Sequence, residues 1–77
     1  MLTWNPPATD SGVSLVGYNV YRSTISGRQF VKLDRVFAPF YEDRLVVSGK
    51  VYFYVVTALD QAGYESKVSG EIRVEIP

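Results

Sequence analysis

The 77-residue chain contains neither cysteine nor histidine. The first absence excludes a disulfide framework and any thiolate metal site. The second removes the side chain most often used as a general base at neutral pH, so hydrolytic chemistry would have to rest on paired carboxylates or on a serine with a lysine. Charge of either sign in excess is also missing. Eight basic and eight acidic residues cancel, and no basic run occurs, which removes the electrostatic case for nucleic acid or an anionic membrane as partner. No apolar run approaches 18 residues and no charged-then-apolar leader is visible, so neither membrane insertion nor a signal peptide is expected within this chain. Sustained helical periodicity and internal repeats are absent as well.

What is present is β-prone and aromatic. The composition is 47% hydrophobic and 14% aromatic, enough for a packed core in a single domain spanning 1–77, although a chain this short buries only about 60% of its unfolded surface. The clearest segment is Val51 to Ser66. Tyr52, Tyr54, Val56 and Ala58 alternate with Val51, Phe53, Val55 and Thr57, and because both faces are apolar the segment reads as a central strand. Val16, Tyr18 and Val20 alternate with Asn19 and Tyr21 in a second strand ending near Arg22. Leu2-Thr3-Trp4 reads as a short strand stopped by Asn5-Pro6-Pro7, and Ala8 to Gly12 as a polar loop. Further strands are expected over Gln29 to Leu33, Phe40 to Glu42 and Glu65 to Ile76. Six short strands divided by turn residues predict an all-β, two-sheet antiparallel sandwich.

Several of these segments, in this order, resemble the fibronectin type III domain as found among accessory modules of bacterial secreted and surface proteins. Leu2-Thr3-Trp4-Asn5-Pro6-Pro7 resembles its strand B, and Gly17-Tyr18-Asn19-Val20-Tyr21-Arg22-Ser23 its strand C. Tyr41 to Tyr52 resembles the passage from strand E to strand F, and Ala58 to Ser66 the F to G turn. The resemblance implies an immunoglobulin-like sandwich of strands B, C, C′, E, F and G. It also implies a tyrosine corner in which Tyr52 packs near Leu45 and bonds to the preceding connection. Trp4, Tyr18, Val20, Leu45, Tyr52, Tyr54 and Val56 are the implied core. Strand A of the family has no counterpart, so the domain reads as N-terminally truncated. The bare edge of strand B is then a candidate for pairing with a second copy, as a homodimer.

No catalytic, cofactor or metal residue stands out. Glu42 and Asp43 are adjacent and point to opposite faces, poor geometry for a shared catalytic pair. Asp60 and Glu65 flank the Gly63 turn and have the ligand chemistry for a hard cation, but Asp60 is better suited to accepting turn amides. Tyr21, Phe53 and Val55 alternate away from the core and form the candidate interaction surface, unless long side chains such as Arg22 and Lys32 cover them. Phe37 and Phe40, at a sheet crossing, are expected to plug the core. The resemblance implies a non-catalytic spacer or protein-interaction module, extracellular or at the cell surface, whose partners are neighbouring domains or another protein. The alternative is a carbohydrate-binding accessory domain of a polysaccharide-degrading enzyme, with Tyr21, Phe53 and Tyr64 as its platform.

Overall fold

The computed structural model describes residues 2–4 and 15–77. The stop expected at 5–7 and the loop expected at 8–12 lie outside the described residues. Six strands follow in chain order: β1 (Leu2–Thr3), β2 (Leu15–Ser23), β3 (Val31–Val36), β4 (Phe40–Tyr41), β5 (Val51–Asp60) and β6 (Ile72–Glu75). They form two antiparallel sheets, β1-β4 and β3-β2-β5-β6. Among the described residues β1 pairs with β4 alone, leaving its other edge without a strand.

The two middle strands, β2 and β5, carry the core. Their even-numbered side chains face β1 and β4, and Tyr18, Val20, Tyr52, Tyr54 and Val56 are buried, Val20 completely. Leu2 from the opposing sheet joins Val20, Tyr52 and Tyr54, with Leu33, Val36, Tyr41, Val46 and the β6 residues Ile72 and Val74 packed around them. Trp4 is half-buried and meets Tyr18 edge to face, with ring centroids 5.4 Å apart.

Tyr52 makes the corner, but not with Leu45. Its hydroxyl accepts the Val47 amide at 2.9 Å, while the Leu45 side chain is 78% exposed and so does not belong to the core. The cause is the backbone at that residue. The Leu45 amide donates to Asp43 Oδ1 at 3.0 Å and its carbonyl accepts from Arg22 at 3.1 Å. With both polar groups turned inward the side chain points out, and Val46 takes the inward place.

Two strand limits also move. Gln29 has φ 61°, left-handed for a non-glycine residue, so the turn from Ser23 runs on and β3 starts at Val31 instead of Gln29. The last strand is shorter than Glu65 to Ile76, because the segment before it pairs with β5 partly through side chains. The Ser66 amide donates to the Ala58 carbonyl and its hydroxyl accepts the Ala58 amide, both at 2.8 Å. Ser69 does the same with Val56 at 2.8 and 2.9 Å. Three residues on one side thus match two on the other, and the serine hydroxyls satisfy β5 amides that a regular ladder would have paired.

Gly17 lets two segments approach closely. A Cβ at this position would stand 3.0 Å from the Val36 carbonyl oxygen, a backbone atom that cannot swing aside. Gly17→Ala is therefore expected to lower stability by about 1–2 kcal/mol, read from urea unfolding followed by the fluorescence of the single tryptophan. Leu45→Ala should shift the same curve by less than about 0.5 kcal/mol. Val46→Ala should cost about 1 kcal/mol, since it strips two methyl groups from a half-buried site.

Candidate interaction surfaces

The odd-numbered residues of β2 and β5 face away from β1 and β4, and they do not make an open apolar patch. Asn19, Val55 and Thr57 are buried, Val55 to 4% exposure, which removes Val55 from the interaction surface expected of it. Its short side chain stands directly opposite Tyr21 across the ladder, with Phe53 two residues away on the same face, and these larger neighbours leave it little access to water. Tyr21 and Phe53 are themselves half-buried.

A single carboxylate closes the middle of this face. Glu65 Oε2 accepts from Asn19 Nδ2 at 2.9 Å, from the Tyr21 hydroxyl and from Thr57 Oγ1. The strand geometry explains the convergence: Asn19 and Tyr21 are alternate residues of β2, Thr57 is the register partner of Asn19 on β5, and an isolated bridge of Leu59 with Glu65 brings the glutamate over them. The hydrogen bonds from Asn19, Thr57 and Tyr21, helped by the nearby charge of Lys32, lower the Glu65 carboxyl from 4.5 to about 2. Glu65 is thereby committed to the sheet. Asp60 is occupied too: its Oδ1 accepts the Tyr64 amide at 2.9 Å and its carbonyl the Gly63 amide at 3.1 Å. No group of three metal-ligating side chains occurs among the described residues.

Glu42 and Asp43 divide as their opposite faces require. Glu42 is exposed and pairs with Arg44 at 3.2 Å, while Asp43 turns inward. Its Oδ2 accepts from Arg22 at 2.6 Å and from the Tyr54 hydroxyl at 2.8 Å. Burial pushes the Asp43 carboxyl up, but the bonds from Tyr54, the Leu45 amide and Arg22 outweigh it and leave the group lowered. Burial and the same carboxylate push the Tyr54 phenol well up, so it stays a donor. Arg22 also lies 5.1 Å from the centroid of the Tyr52 ring.

The exposed aromatics lie elsewhere. Phe37 is 79% and Phe40 51% exposed, so neither plugs the core. The connection from β3 to β4 is held by its backbone, the Trp4 amide donating to the Pro39 carbonyl at 3.1 Å, and the side chains on either side of Pro39 remain outside. They border a groove of about 480 Å³ with Arg35, Tyr41 and Glu42. Sequence periodicity missed it because alternation ends at Val36; the usable signal was the isolated Phe-Ala-Pro-Phe run itself.

Comparison with known proteins places this architecture. No family model matches the chain. An Fn3-like protein from Clostridium thermocellum superposes with a TM-score of 0.79 at 34% identity, over 97% of this chain and 73% of its own. The chain belongs to the fibronectin type III family. The twitchin kinase region of C. elegans, which includes such a domain, superposes with a TM-score of 0.82 over 97% of this chain at 24% identity, a likeness of fold. In sequence the domain is 40% identical over 72 residues, 92% of its length, to the amylopullulanase of Thermoanaerobacter thermohydrosulfuricus. It is 38% identical over 56 residues to that of Thermoanaerobacterium thermosulfurigenes. It spans only 4% and 3% of those enzymes, as a segment of a much larger chain.

The hydrogen-bonded carboxylates make the stability of this domain sensitive to acid. Glu65 and Asp43 have lowered folded-state values, so below their ordinary values of 4.5 and 3.8 the unfolded chain takes up protons that the folded chain does not. Stability should be constant above about pH 5.5 and fall steadily towards pH 2, as urea midpoints across that range would show. Glu65→Gln should cost about 1 kcal/mol at pH 7, the low end for bonds to a charged group because the carboxylate is open to water on one side, and should flatten the acid limb.

Proposed function

We propose that the domain is a non-catalytic accessory module of a larger polysaccharide-degrading enzyme, which holds neighbouring domains at a set separation and offers them a surface. The observation that carries this reading is the relation of lengths: a segment matching 92% of this chain makes up 4% of an amylopullulanase. A domain that small a part of an enzyme, with Asp43, Asp60 and Glu65 tied into structural hydrogen bonds, is suited to spacing and contact. The elongated body supports the same view. Its principal extents are 44 × 21 × 17 Å, and its central ladder joins β2 and β5 along their length. An extracellular or cell-surface location follows the reading, through the amylopullulanase relatives.

The test is an exchange. Replacing the matching segment of the Thermoanaerobacter thermohydrosulfuricus enzyme with this chain should leave turnover of a small soluble substrate within about twofold. Small-angle scattering should then return the parent's interdomain distance. Deleting the segment should shorten that distance while turnover of the small substrate persists. Hydrolysis of a glucan by the 77-residue chain alone, or an unchanged interdomain distance after deletion, would sink the proposal.

A further inference from the structure

The groove between the end of β3 and β4 combines features that the spacer role leaves unused. Two phenylalanine rings stand open to water on either side of Pro39. Their frame is fixed twice: by the bond from the Trp4 amide to the Pro39 carbonyl, and by Gly17, over which the Val36 carbonyl and the Phe37 ring edge lie. The rings therefore meet a ligand without an ordering cost in the backbone. Arg35 and Glu42 line the same groove as the two rings. Glu42 is engaged only by the exposed Arg44 among the described residues.

We propose that this groove binds a neutral glucan chain, with sugar rings stacked on Phe37 and Phe40 and their hydroxyls bonded to Arg35 and Glu42. One cationic and one anionic side chain in the same lining favour a ligand without net charge: an anion would meet Glu42 and a cation Arg35, whereas sugar hydroxyls donate to the carboxylate and accept from the guanidinium. Its size also favours a small ligand. About 480 Å³ falls within the range of ligand clefts. A pyranose presents an apolar C–H face and a polar rim, matching rings bordered by charged groups. The site is distinct from the face of Tyr21 and Phe53, whose centre is closed by Glu65.

Affinity electrophoresis of the 77-residue chain in gels containing pullulan, soluble amylose or hydroxyethylcellulose tests this directly. Retardation by at least one glucan is expected, weakened about tenfold or more in Phe37→Ser and Phe40→Ser. Both positions are exposed, so the variants should keep the wild-type circular dichroism spectrum; Phe37→Trp should retain binding, and Tyr21→Ser should leave it unchanged. Absence of retardation in every gel would overturn the proposal, as would retardation that survives both serine substitutions or is lost in Tyr21→Ser. Self-association abolished by Phe37→Ser, without any glucan effect, would reassign the groove to contact between copies and overturn it equally. None of these outcomes bears on the spacer role, which is read from interdomain distance.

Discussion

The carboxylate of Asp43 ties the short sheet to the large one by directional bonds. It sits just after β4, in the short sheet, yet its partners are Arg22 at the end of β2 and Tyr54 in β5, both in the large sheet. Hydrophobic burial brings two sheets together without fixing how they slide over one another, since it depends on area and not on direction. A charged group accepting from a guanidinium, a phenol and an amide is directional, and it sets that register. The removal of two charges from water would ordinarily consume the attraction between them. Here both carboxylate oxygens are bonded, and Arg22 keeps one side exposed over the Tyr52 ring, so the pair orients the sandwich without leaving an unsatisfied charge inside.

The local consequences of that bond explain the inverted pair at Leu45 and Val46. Hydropathy ranks leucine and valine alike, and alternation counted back from Tyr52 has no means to choose between them. The choice is made by the backbone, because the Leu45 amide and carbonyl are both needed by the Asp43 and Arg22 cluster. Side-chain direction is then fixed by polar groups instead of by apolar ones. The same logic governs the end of the chain. Ser66 and Ser69 fall within a segment that reads as strand by sequence, yet their hydroxyls take the place of backbone groups along β5, so the regular strand begins only at Ile72.

Period-two alternation made β2 and β5 legible because they lie in the middle of a sheet and each side chain has one destination. The short strands β1 and β4, only two residues each, offer no period to count, and only β-prone side chains beside chain-breaking prolines marked them out. Legibility was poorest at the surfaces. Val55 and Thr57 alternate outward and are nonetheless buried, since on a flat sheet face the cover comes from long side chains of remote segments, as Glu65 covers Asn19 and Thr57 from eight residues beyond Thr57 in the chain. Phe37 and Phe40 err in the other direction: aromatic character predicts burial, but a crossing held by its backbone has no obligation to turn its side chains inward.

These two surfaces pose opposite solutions to one problem. A domain of this size has more apolar side chains than its interior can hold, and the surplus must be covered or displayed. On the broad face the cover is polar: one glutamate draws three hydrogen-bond donors inward, leaving Tyr21 and Phe53 half-buried around a charged lid. At the narrow edge between β3 and β4 no such lid exists, and Phe37 and Phe40 stay in contact with water at a free-energy cost that folding alone does not repay. An exposed pair of rings on a fixed backbone is stable in isolation only because the Asp43 cluster and the core hold the sheets independently of it. The edge is thus free to vary in chemistry without endangering the fold, which is the condition under which a structural module can acquire a ligand.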